Sequence, residues 1–334
     1  MAGFWNFARA QWSTLPLIPT KATTTGKTFI VTGANTGLGF EAAKHLVTLG
    51  AKHVILGVRS LEKGNAAMEA IAKATGRSNV CEVWQLNLAS LASVESFAMK
   101  LQTLDRLDAL ISNASVALAE FTLSEGIETS VTVNVLSTML LAIRAMPKLQ
   151  ESAKTFGIRP HLSVIASGTA FDCQGMLEDL GSNIFEELSK RPPSMASRYP
   201  FTKLLQIYAV RQLSSIYPES ETGVVINVAS PGLCITELAR NANWSMHLQI
   251  TFMRWLLGRT AEQGSRTLLH AAFAGQESHG AYLSDCQIKE LTVPSWITNE
   301  DGKKTQQRLW NDLVETLDKK NHKVDVPVKR VDVR

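Results

Sequence analysis

Short apolar runs alternate with longer stretches of helical periodicity from residue 27 to about residue 230. The first run, Thr28–Val31, is followed by Phe40, Ala43 and Val47 at helical spacing, until Gly50 interrupts the pattern. Near-continuous apolar strands separated by helices are typical of a parallel sheet with helices on both faces, so we predict a doubly wound α/β fold. The other predicted elements are strands at His53–Val58, Val80–Leu86, Leu107–Ser112, Leu162–Ala166 and Val224–Val228, and helices at Leu61–Ala74, Ser93–Thr103, Gly126–Leu149 and Thr202–Tyr217.

Four segments depart from this alternation. No repeat or linker divides the rest of the chain, so residues 26–318 are predicted to form one domain. The departing segments are an N-terminal arm (1–25), a polar insertion at the rim (171–198), an irregular apolar segment (235–259) and a basic, solvated tail (319–334).

The N-terminal arm is rich in aromatic residues but is interrupted by Arg9 and by prolines. It therefore has neither the unbroken apolar stretch of a signal peptide nor the length of a membrane-spanning helix. We expect its aromatic side chains to pack against the body of the protein, with peripheral membrane contact as the alternative. These side chains are Phe4, Trp5, Phe7 and Trp12.

Composition narrows the classes of function. The 334 residues are 45% hydrophobic and 19% charged, which excludes a disordered chain. The net charge of +4 predicts no nucleic-acid partner. The 4 cysteines are far apart and form no metal-binding pattern, so we expect no metal site and reduced thiols in a cytoplasmic protein.

A glycine-rich turn follows the first strand directly. Glycines let the main chain turn tightly and bring its N–H groups against a diphosphate at a helix N-terminus. The position between a strand and a helix favours a dinucleotide site over an ordinary loop. The candidate binding residues in the turn are Gly33, Asn35, Thr36, Gly37, Leu38 and Gly39.

Arg59 stands at the end of the second predicted strand. An acidic residue there would hydrogen-bond the ribose 2′-hydroxyl of NAD, whereas an arginine suits the 2′-phosphate of NADP. A solvated surface arginine is the alternative. The sequence therefore favours NADP over NAD.

Tyr199 and Lys203 are one helical turn apart and share a helix face. A nearby ammonium lowers the pKa of a tyrosine from about 10, which makes proton exchange with an alcohol or a carbonyl feasible. Ser167 follows a predicted strand at the edge where α/β sheets bind ligands, and Asn134 is polar within an apolar helix. A surface Tyr–Lys pair and a structural asparagine are the alternatives.

Together these residues resemble the short-chain dehydrogenase/reductase family, whose Rossmann-type fold agrees with the predicted sheet. The turn matches the family pattern TGxxxGxG, and the family's catalytic tetrad corresponds to Asn134, Ser167, Tyr199 and Lys203. The segments FARAQWSTLPLIPT, VTGANTGLG and SRYPFTK look like those of a fungal, retinol-dehydrogenase-like branch that often serves secondary-metabolite pathways. The resemblance implies that segment 235–259 is a substrate lid, with an amphipathic helix that buries this apolar face in the core as the alternative. It also implies further cofactor-binding residues at Asn87, Leu88, Asn113, Pro231, Gly232 and Thr236.

The sequence departs from the family at three places. Ser115 replaces a glycine near the cofactor, Asn87 replaces an aspartate at the adenine, and insertion 171–198 lengthens the gap between Ser167 and Tyr199. Such an insertion also occurs in monomeric carbonyl reductases, where it covers a helical assembly face. The assembly is expected to be a monomer or a dimer.

The resemblance also implies a mechanism. A hydride passes between a nicotinamide and a carbonyl carbon while Tyr199 exchanges a proton with the oxygen and Ser167 hydrogen-bonds that oxygen. Lys203 lowers the pKa of Tyr199 and holds the nicotinamide ribose, so both residues also contact the cofactor, and Asn134 holds a water that relays protons to Lys203. The expected function is NADPH-dependent reduction of a ketone or aldehyde on a hydrophobic substrate. The alternatives are a catalytically silent NADP-binding regulator, or an oxidation, isomerisation or elimination.

Overall fold

A computed structural model describes residues 2–181, 183–192, 194–235 and 256–326. Within these residues the central sheet has eight strands in the order β10-β9-β8-β7-β4-β1-β2-β3, and every neighbouring pair is parallel except β9 and β10. The doubly wound parallel sheet predicted from the sequence is confirmed. The strands of the sheet are β1 (Thr28–Thr32), β2 (His53–Val58), β3 (Cys81–Gln85), β4 (Ala109–Ser112), β7 (His161–Ile165), β8 (Val225–Ser230), β9 (Tyr282–Ser284) and β10 (Gln287–Ile288), and a separate hairpin pairs β5 (Leu123–Ser124) with β6 (Ile127–Glu128).

Helices cover both faces of the sheet. The α-helices of the described residues are α1 (Ala2–Trp12), α2 (Lys21–Thr24), α3 (Gly37–Thr48), α4 (Leu61–Thr75), α5 (Leu91–Gln102), α6 (Thr129–Val131), α7 (Thr138–Phe156), α8 (Ile184–Leu188), α9 (Arg198–Ile216), α10 (Glu219–Thr222), α11 (Ala261–Phe273), α12 (Ser295–Thr298) and α13 (Glu300–Lys319).

Each face of the sheet has its own hydrophobic core. Along β1, Phe29 and Val31 point into one core, which α3 and α11 cover, while Ile30 points into the other, which contains α5, α7, α9 and α13. This alternation follows from the two-residue period of a strand, and strands buried on both faces read as continuous apolar runs.

The strand order reverses at β1 and β4, and this position determines where a ligand can bind. From β1 the chain builds β2 and β3 on one side, then returns through β4 and continues to β7 and β8 on the other. Open α/β sheets bind ligands in the crevice outside the carboxyl ends of such strands. The candidate site therefore lies where β1, β4, β7 and β8 end.

One predicted helix, Gly126–Leu149, is wrong in detail. The chain forms strand β6 and the short helix α6 before a π turn at Thr132–Ser137, and α7 then continues to Phe156. All six residues of the π turn are buried, so the sequence has no one-sided apolar pattern there whose shift would reveal the extra residue. This stretch, Thr129–Phe156, is long and apolar enough to span a membrane, but 89% of its most apolar window is buried inside the protein, as in a core helix.

The rim insertion and the tail are also more ordered than the polar sequence suggests. In the insertion, Phe185 of α8 is buried and its main-chain N–H donates to Asp312 of α13 at 3.0 Å. In the tail, Val324 and Val326 are buried, so the prediction of a solvated end is wrong at these two positions, while Lys319 and Lys323 are exposed. A few apolar residues in each segment are enough to dock it on the α7–α9 side of the sheet.

Part of the N-terminal arm is buried against the body of the protein, and the Trp12 indole N–H donates to the Leu256 carbonyl at 3.2 Å. Ala8 and Gln11 of α1 are buried, whereas Trp5 and Trp12 leave 62% and 60% of their surface exposed. Aromatic packing is therefore wrong for these two tryptophans, and the side chains of Phe4 and Phe7 lie outside the described residues. The arm instead binds through the polar Gln11.

Candidate active site

The turn after β1 has room only for glycine at its key positions. Gly33 and Gly37 have φ angles of +66° and +60°, in the left-handed region that favours glycine. A Cβ atom on Gly39 would lie 2.6 Å from the carbonyl oxygen of Gly33 and 2.7 Å from Nδ2 of Asn113. The main chain is thus packed against itself at the start of α3.

The N-terminus of α3 is suited to an anion. Its N-cap residue, Thr36, is exposed and extended, and its side chain accepts no hydrogen bond from the first turn of the helix. The first N–H groups of the helix therefore face outward without a side-chain acceptor from the N-cap, beside the half-buried Asn35 and Leu38. Such a terminus fits the diphosphate of a dinucleotide, both by its donors and by the helix dipole.

Asn113 and Thr32 join the ends of β4 and β1. The Asn113 side chain donates to the Thr32 carbonyl at 2.9 Å, and the Thr32 hydroxyl accepts from the main-chain N–H groups of Asn113 and Ala114. Asn113 therefore anchors the glycine turn. This structural role was not expected from its assignment as a candidate cofactor-binding residue.

The residues predicted to contact the adenine end lie on the other side of the turn. Arg59 is exposed at the end of β2, next to Ser60, whose hydroxyl caps the N-terminus of α4. Asn87 is half-buried and its side chain accepts from the Ala89 N–H at 3.2 Å. The Leu88 side chain is buried in the core, so it presents only its main chain outward.

The loop after β8 is held by residues from distant parts of the chain. Gly232 has a φ of +78°, and a Cβ atom there would collide with the Gln11 carboxamide. Gln11 donates to the carbonyls of Leu233 and Leu257 and accepts from the Leu233 N–H. Thr236 and most of the predicted lid, residues 236–255, lie outside the described residues.

Arg259 also holds the loop after β8 in place. Its side chain is fully buried, donates to the carbonyls of Pro231 and Ala10 at 3.3 and 2.5 Å, and pairs with Asp285 at 2.8 Å. The buried guanidinium thus connects the N-terminal arm, the β8 loop and the turn after β9. Sequence reasoning missed both Gln11 and Arg259, because neither belongs to a motif.

The Lys203 ammonium is enclosed in the protein interior. It donates to the Ile165 carbonyl at the end of β7 at 2.7 Å and to Oε1 of Gln206 at 2.8 Å, and it lies 5.5 Å from the centre of the Tyr199 ring. Burial lowers the pKa of Lys203 to about 7, because removing water penalises the charged form. This lysine therefore changes charge near neutral pH.

Tyr199 is the tyrosine whose ring lies beside the Lys203 ammonium. Burial raises the pKa of Tyr208, Tyr217 and Tyr282, which makes them poorer proton donors near neutrality. Tyr199 is half-buried in the first turn of α9 and contacts the Lys203 ammonium. Pro200 is tolerated there because the first turn of a helix needs no internal N–H donors.

Asn134 lies in the π turn and is fully buried. Its side-chain oxygen accepts from the Ser115 hydroxyl and the Val116 N–H, at 3.0 and 2.9 Å. Its Nδ2 donates to the Val116 carbonyl and to the Thr202 hydroxyl. The side chain therefore ties the loop after β4 to α9, and Ser115, which replaces the glycine of the family, contributes one of these bonds.

Gln206 links Asn134 to Lys203. Its Nε2 donates to the Asn134 main-chain carbonyl at 2.5 Å, while its Oε1 accepts from the Lys203 ammonium. A protein side chain therefore connects the main chain at Asn134 to the lysine. A buried polar residue one turn beyond Lys203 was the available signal in the sequence.

Ser167 follows β7 and is oriented by its own loop. Its hydroxyl accepts from the N–H and the hydroxyl of Thr169, at 3.3 and 3.0 Å. The next residue, Gly168, donates to the Ser230 hydroxyl at the end of β8. Because Ile165, two residues before Ser167, accepts from Lys203, the same strand end carries Ser167 and anchors the lysine.

Comparison with known proteins identifies the family. A family model described as short chain dehydrogenase matches residues 27–157. The chain is 41% identical over 299 residues to the short chain dehydrogenase/reductase dmxR8 of Cryptosporiopsis sp., covering 88% of this chain and 91% of that relative. The protein belongs to the short-chain dehydrogenase family. Because family members are NAD(P)-dependent oxidoreductases, this short-chain dehydrogenase is an enzyme of that class.

Solved structures share the fold at low sequence identity. An uncharacterised protein from Mycobacterium paratuberculosis has a TM-score of 0.65 at 21% identity, with 92% of this chain and 99% of that chain covered. A short chain dehydrogenase from Burkholderia cenocepacia in complex with NADP has a TM-score of 0.59 at 20% identity, with 78% and 96% covered. These likenesses confirm the Rossmann-like fold of this short-chain dehydrogenase.

Proposed function

We propose that the protein is an NADPH-dependent reductase that converts a ketone or aldehyde on a hydrophobic substrate, such as a secondary metabolite, into an alcohol. The observation that carries the proposal is the buried Lys203 ammonium against the Tyr199 ring, at the sheet edge where the glycine turn lies. A phenol beside a buried cation supplies the proton that such a reduction requires.

Tyr199 donates its proton to the carbonyl oxygen as negative charge develops there. The adjacent Lys203 ammonium favours the negative charge that the phenol oxygen acquires as the proton leaves. Ser167, held by Thr169, donates a hydrogen bond to the same oxygen. When bound, the reduced cofactor supplies the hydride that adds to the carbonyl carbon.

The glycine turn and Arg59 support the choice of cofactor. The first turn of α3 would hold the diphosphate, and the exposed Arg59 beside the N-terminus of α4 would pair with a 2′-phosphate. The NADP complex of the similar Burkholderia protein is consistent with a cofactor of this kind. A phosphate-recognising pocket favours the reductive direction.

The acid–base assignment is tested by Tyr199→Phe, with Tyr217→Phe at the end of the same helix as the control. We expect Tyr199→Phe to bind NADPH normally, measured by nucleotide fluorescence, and to lose about 10²–10⁴-fold in kcat with a lipophilic ketone. Full activity of Tyr199→Phe would refute the assignment. If the parent protein oxidises no NADPH with any ketone or aldehyde of a graded panel, the reductase proposal itself is wrong.

Reduction should also slow as the pH rises. The charged form of Lys203 is fully present below its pKa of about 7 and is lost as the pH rises through that value. Because the charged form assists Tyr199, kcat for reduction should fall on the alkaline side of neutrality. A rate that stays level to pH 9 would contradict this role of Lys203.

Cofactor preference is tested by Arg59→Asp, with Lys73→Asp as a control that makes the same change of charge near the far end of α4. Arg59→Asp should raise the KM for NADPH about ten- to a hundredfold, since a charge-assisted hydrogen bond is lost, while Lys73→Asp should leave it unchanged. Equal KM values for Arg59→Asp and the parent would show that Arg59 does not select the phosphate.

A further inference from the structure

Gln206 bridges two groups that sequence motifs treat separately. It lies one turn beyond Lys203 on α9 and is 1% exposed. Its Oε1 is 2.8 Å from the Lys203 nitrogen, and its Nε2 is 2.5 Å from the Asn134 carbonyl oxygen. An ammonium only donates and a carbonyl only accepts, so the two neighbours fix the orientation of the carboxamide between them.

We propose that Gln206 is a positioning residue that holds the Lys203 ammonium at Tyr199 by anchoring it to the main chain of the π turn. The proposal rests on the reductase function given above. Two of the three N–H groups of Lys203 are directed to Ile165 and Gln206, which leaves the third for Tyr199 and a bound ligand.

The surroundings of Lys203 show why a neutral anchor matters. Strand β7 contributes the Ile165 carbonyl, the π turn contributes the uncharged Asn134, and α9 contributes Tyr199 and Gln206. Among the described residues, no carboxylate forms a salt bridge with Lys203. The oxygens of Ile165 and Gln206 therefore stabilise the charge that burial opposes.

Charged side chains on the adjoining elements form an ion pair with each other. Arg198 at the start of α9 pairs with Glu128 of β6 at 3.5 Å. Glu128 also accepts from the N–H groups of Ser130 and Val131 at the start of α6. The Arg198–Glu128 pair therefore lies at the starts of α9 and α6. The side-chain acceptor that faces Lys203 is the carboxamide of Gln206.

A carboxamide holds a charge without passing a proton, because giving up an amide proton would leave an unstable imidate. The Gln206 link therefore fixes the ammonium rather than relaying protons to it. Two substitutions at this position should therefore have different effects. Gln206→Met removes both hydrogen bonds at similar volume, whereas Gln206→Glu keeps an acceptor for Lys203 and loses the donor to Asn134.

The test compares the pH dependence of kcat for carbonyl reduction in these two variants. Gln206→Met should shift the alkaline limb to lower pH by about one pH unit, because the charged lysine loses an acceptor. Gln206→Glu should shift the limb to higher pH, because a buried carboxylate stabilises the ammonium.

A matched control lies on the same helix. Gln212 is also buried, but its carboxamide bonds to Gln306 and Gln307 of α13. Gln212→Met should reduce the free energy of unfolding without moving the limb. Identical limbs in Gln206→Met, Gln206→Glu and the parent protein would overturn the proposal, as would the same shift in Gln212→Met.

A second measurement does not depend on activity. The ionisation of Lys203 in the cofactor-free protein is followed by the ¹³C chemical shift of its ε-carbon, with the signal assigned by comparison with the Lys203→Met protein. Gln206→Met should lower the pKa of Lys203, because the charged form loses an acceptor, and Gln212→Met should not. An unchanged Lys203 titration in Gln206→Met would overturn the proposal even if the protein reduced no carbonyl at all.

Discussion

The glycine turn after β1 and the loop after β8 end at the same edge of the sheet but are held in different ways. The turn is packed against itself and against Asn113 at the end of the next strand in the sheet. The loop is held by Gln11, 222 residues away in the sequence, and by the buried Arg259. A motif therefore identifies the turn, whereas only the tertiary structure identifies what supports the loop.

The largest effect is expected from Arg259→Leu, which removes the support of the β8 loop. The substitution leaves Asp285 without its buried cation and removes one donor from each of the carbonyls of Pro231 and Ala10. Breaking such a buried pair should lower the free energy of unfolding by about 3–5 kcal/mol, measured in urea.

A surface ion pair provides the control for that experiment. Arg159 pairs with Glu219 at 2.8 Å, with its side chain about half exposed. Arg159→Leu should cost at most about 1 kcal/mol. If both arginine variants lose the same stability, the β8 loop does not depend on the buried pair.

The next effect is expected at the glycine turn. Gly39→Ala places a methyl group 2.6 Å from the Gly33 carbonyl oxygen, so the main chain must shift. Although alanine favours a helix, this strain should cost about 1–3 kcal/mol and weaken NADPH binding at least tenfold. Binding is measured by fluorescence titration, with Gly181→Ala as the control, because a Cβ atom there meets nothing within 4 Å. Unchanged affinity would show that the turn yields easily.

Gln11→Leu should have a smaller effect, confined to the β8 loop. It leaves the Leu233 N–H and the Leu257 carbonyl unpaired and removes one of the two donors to the Leu233 carbonyl, at a cost of about 1–2 kcal/mol. Hydrogen exchange at the Leu233 amide should become faster, while exchange in the glycine turn stays the same. Faster exchange in both segments would mean that the two are coupled rather than separately supported.

The smallest effect is expected from Ser115→Gly, which restores the residue typical of the family. The change removes the hydroxyl that donates to Asn134 at 3.0 Å, while the Val116 N–H keeps the amide oxygen satisfied. The free energy of unfolding should fall by about 0.5–1.5 kcal/mol. A gain in stability would show that the hydroxyl is strained in its present position.

Local patterns predicted most of the fold. Strand β2 was predicted at its observed bounds, and Tyr199 and Lys203 were placed on one helix. Both predictions succeeded because a buried strand and a helical spacing each depend on residues that are close in the sequence. The parallel sheet followed from the alternation of elements. The positions of the tetrad residues are now described, while their chemical roles remain predictions.

Features that depend on distant contacts were not predicted. The π turn at Asn134 lies within a stretch of helical pattern and is not distinguished from it by the sequence. The two partners of Gln206 lie on different elements, Lys203 on α9 and Asn134 in the π turn. The packing of Gln11 requires a contact across most of the chain, which no spacing rule contains. The rim insertion docks on the apolar surface of helix α13. Because that surface is distant in the sequence, the insertion by itself was interpreted only as a polar segment.

The docking of α13 on α9 has a consequence for how the enzyme is made. The outer face of the helix that carries Tyr199 and Lys203 is covered by α13, which the ribosome adds roughly 80 residues later, or about 4–16 s at ordinary rates of synthesis. During that interval the nascent chain exposes the apolar surface of α9 that α13 later covers. Chaperone demand should therefore peak late in translation.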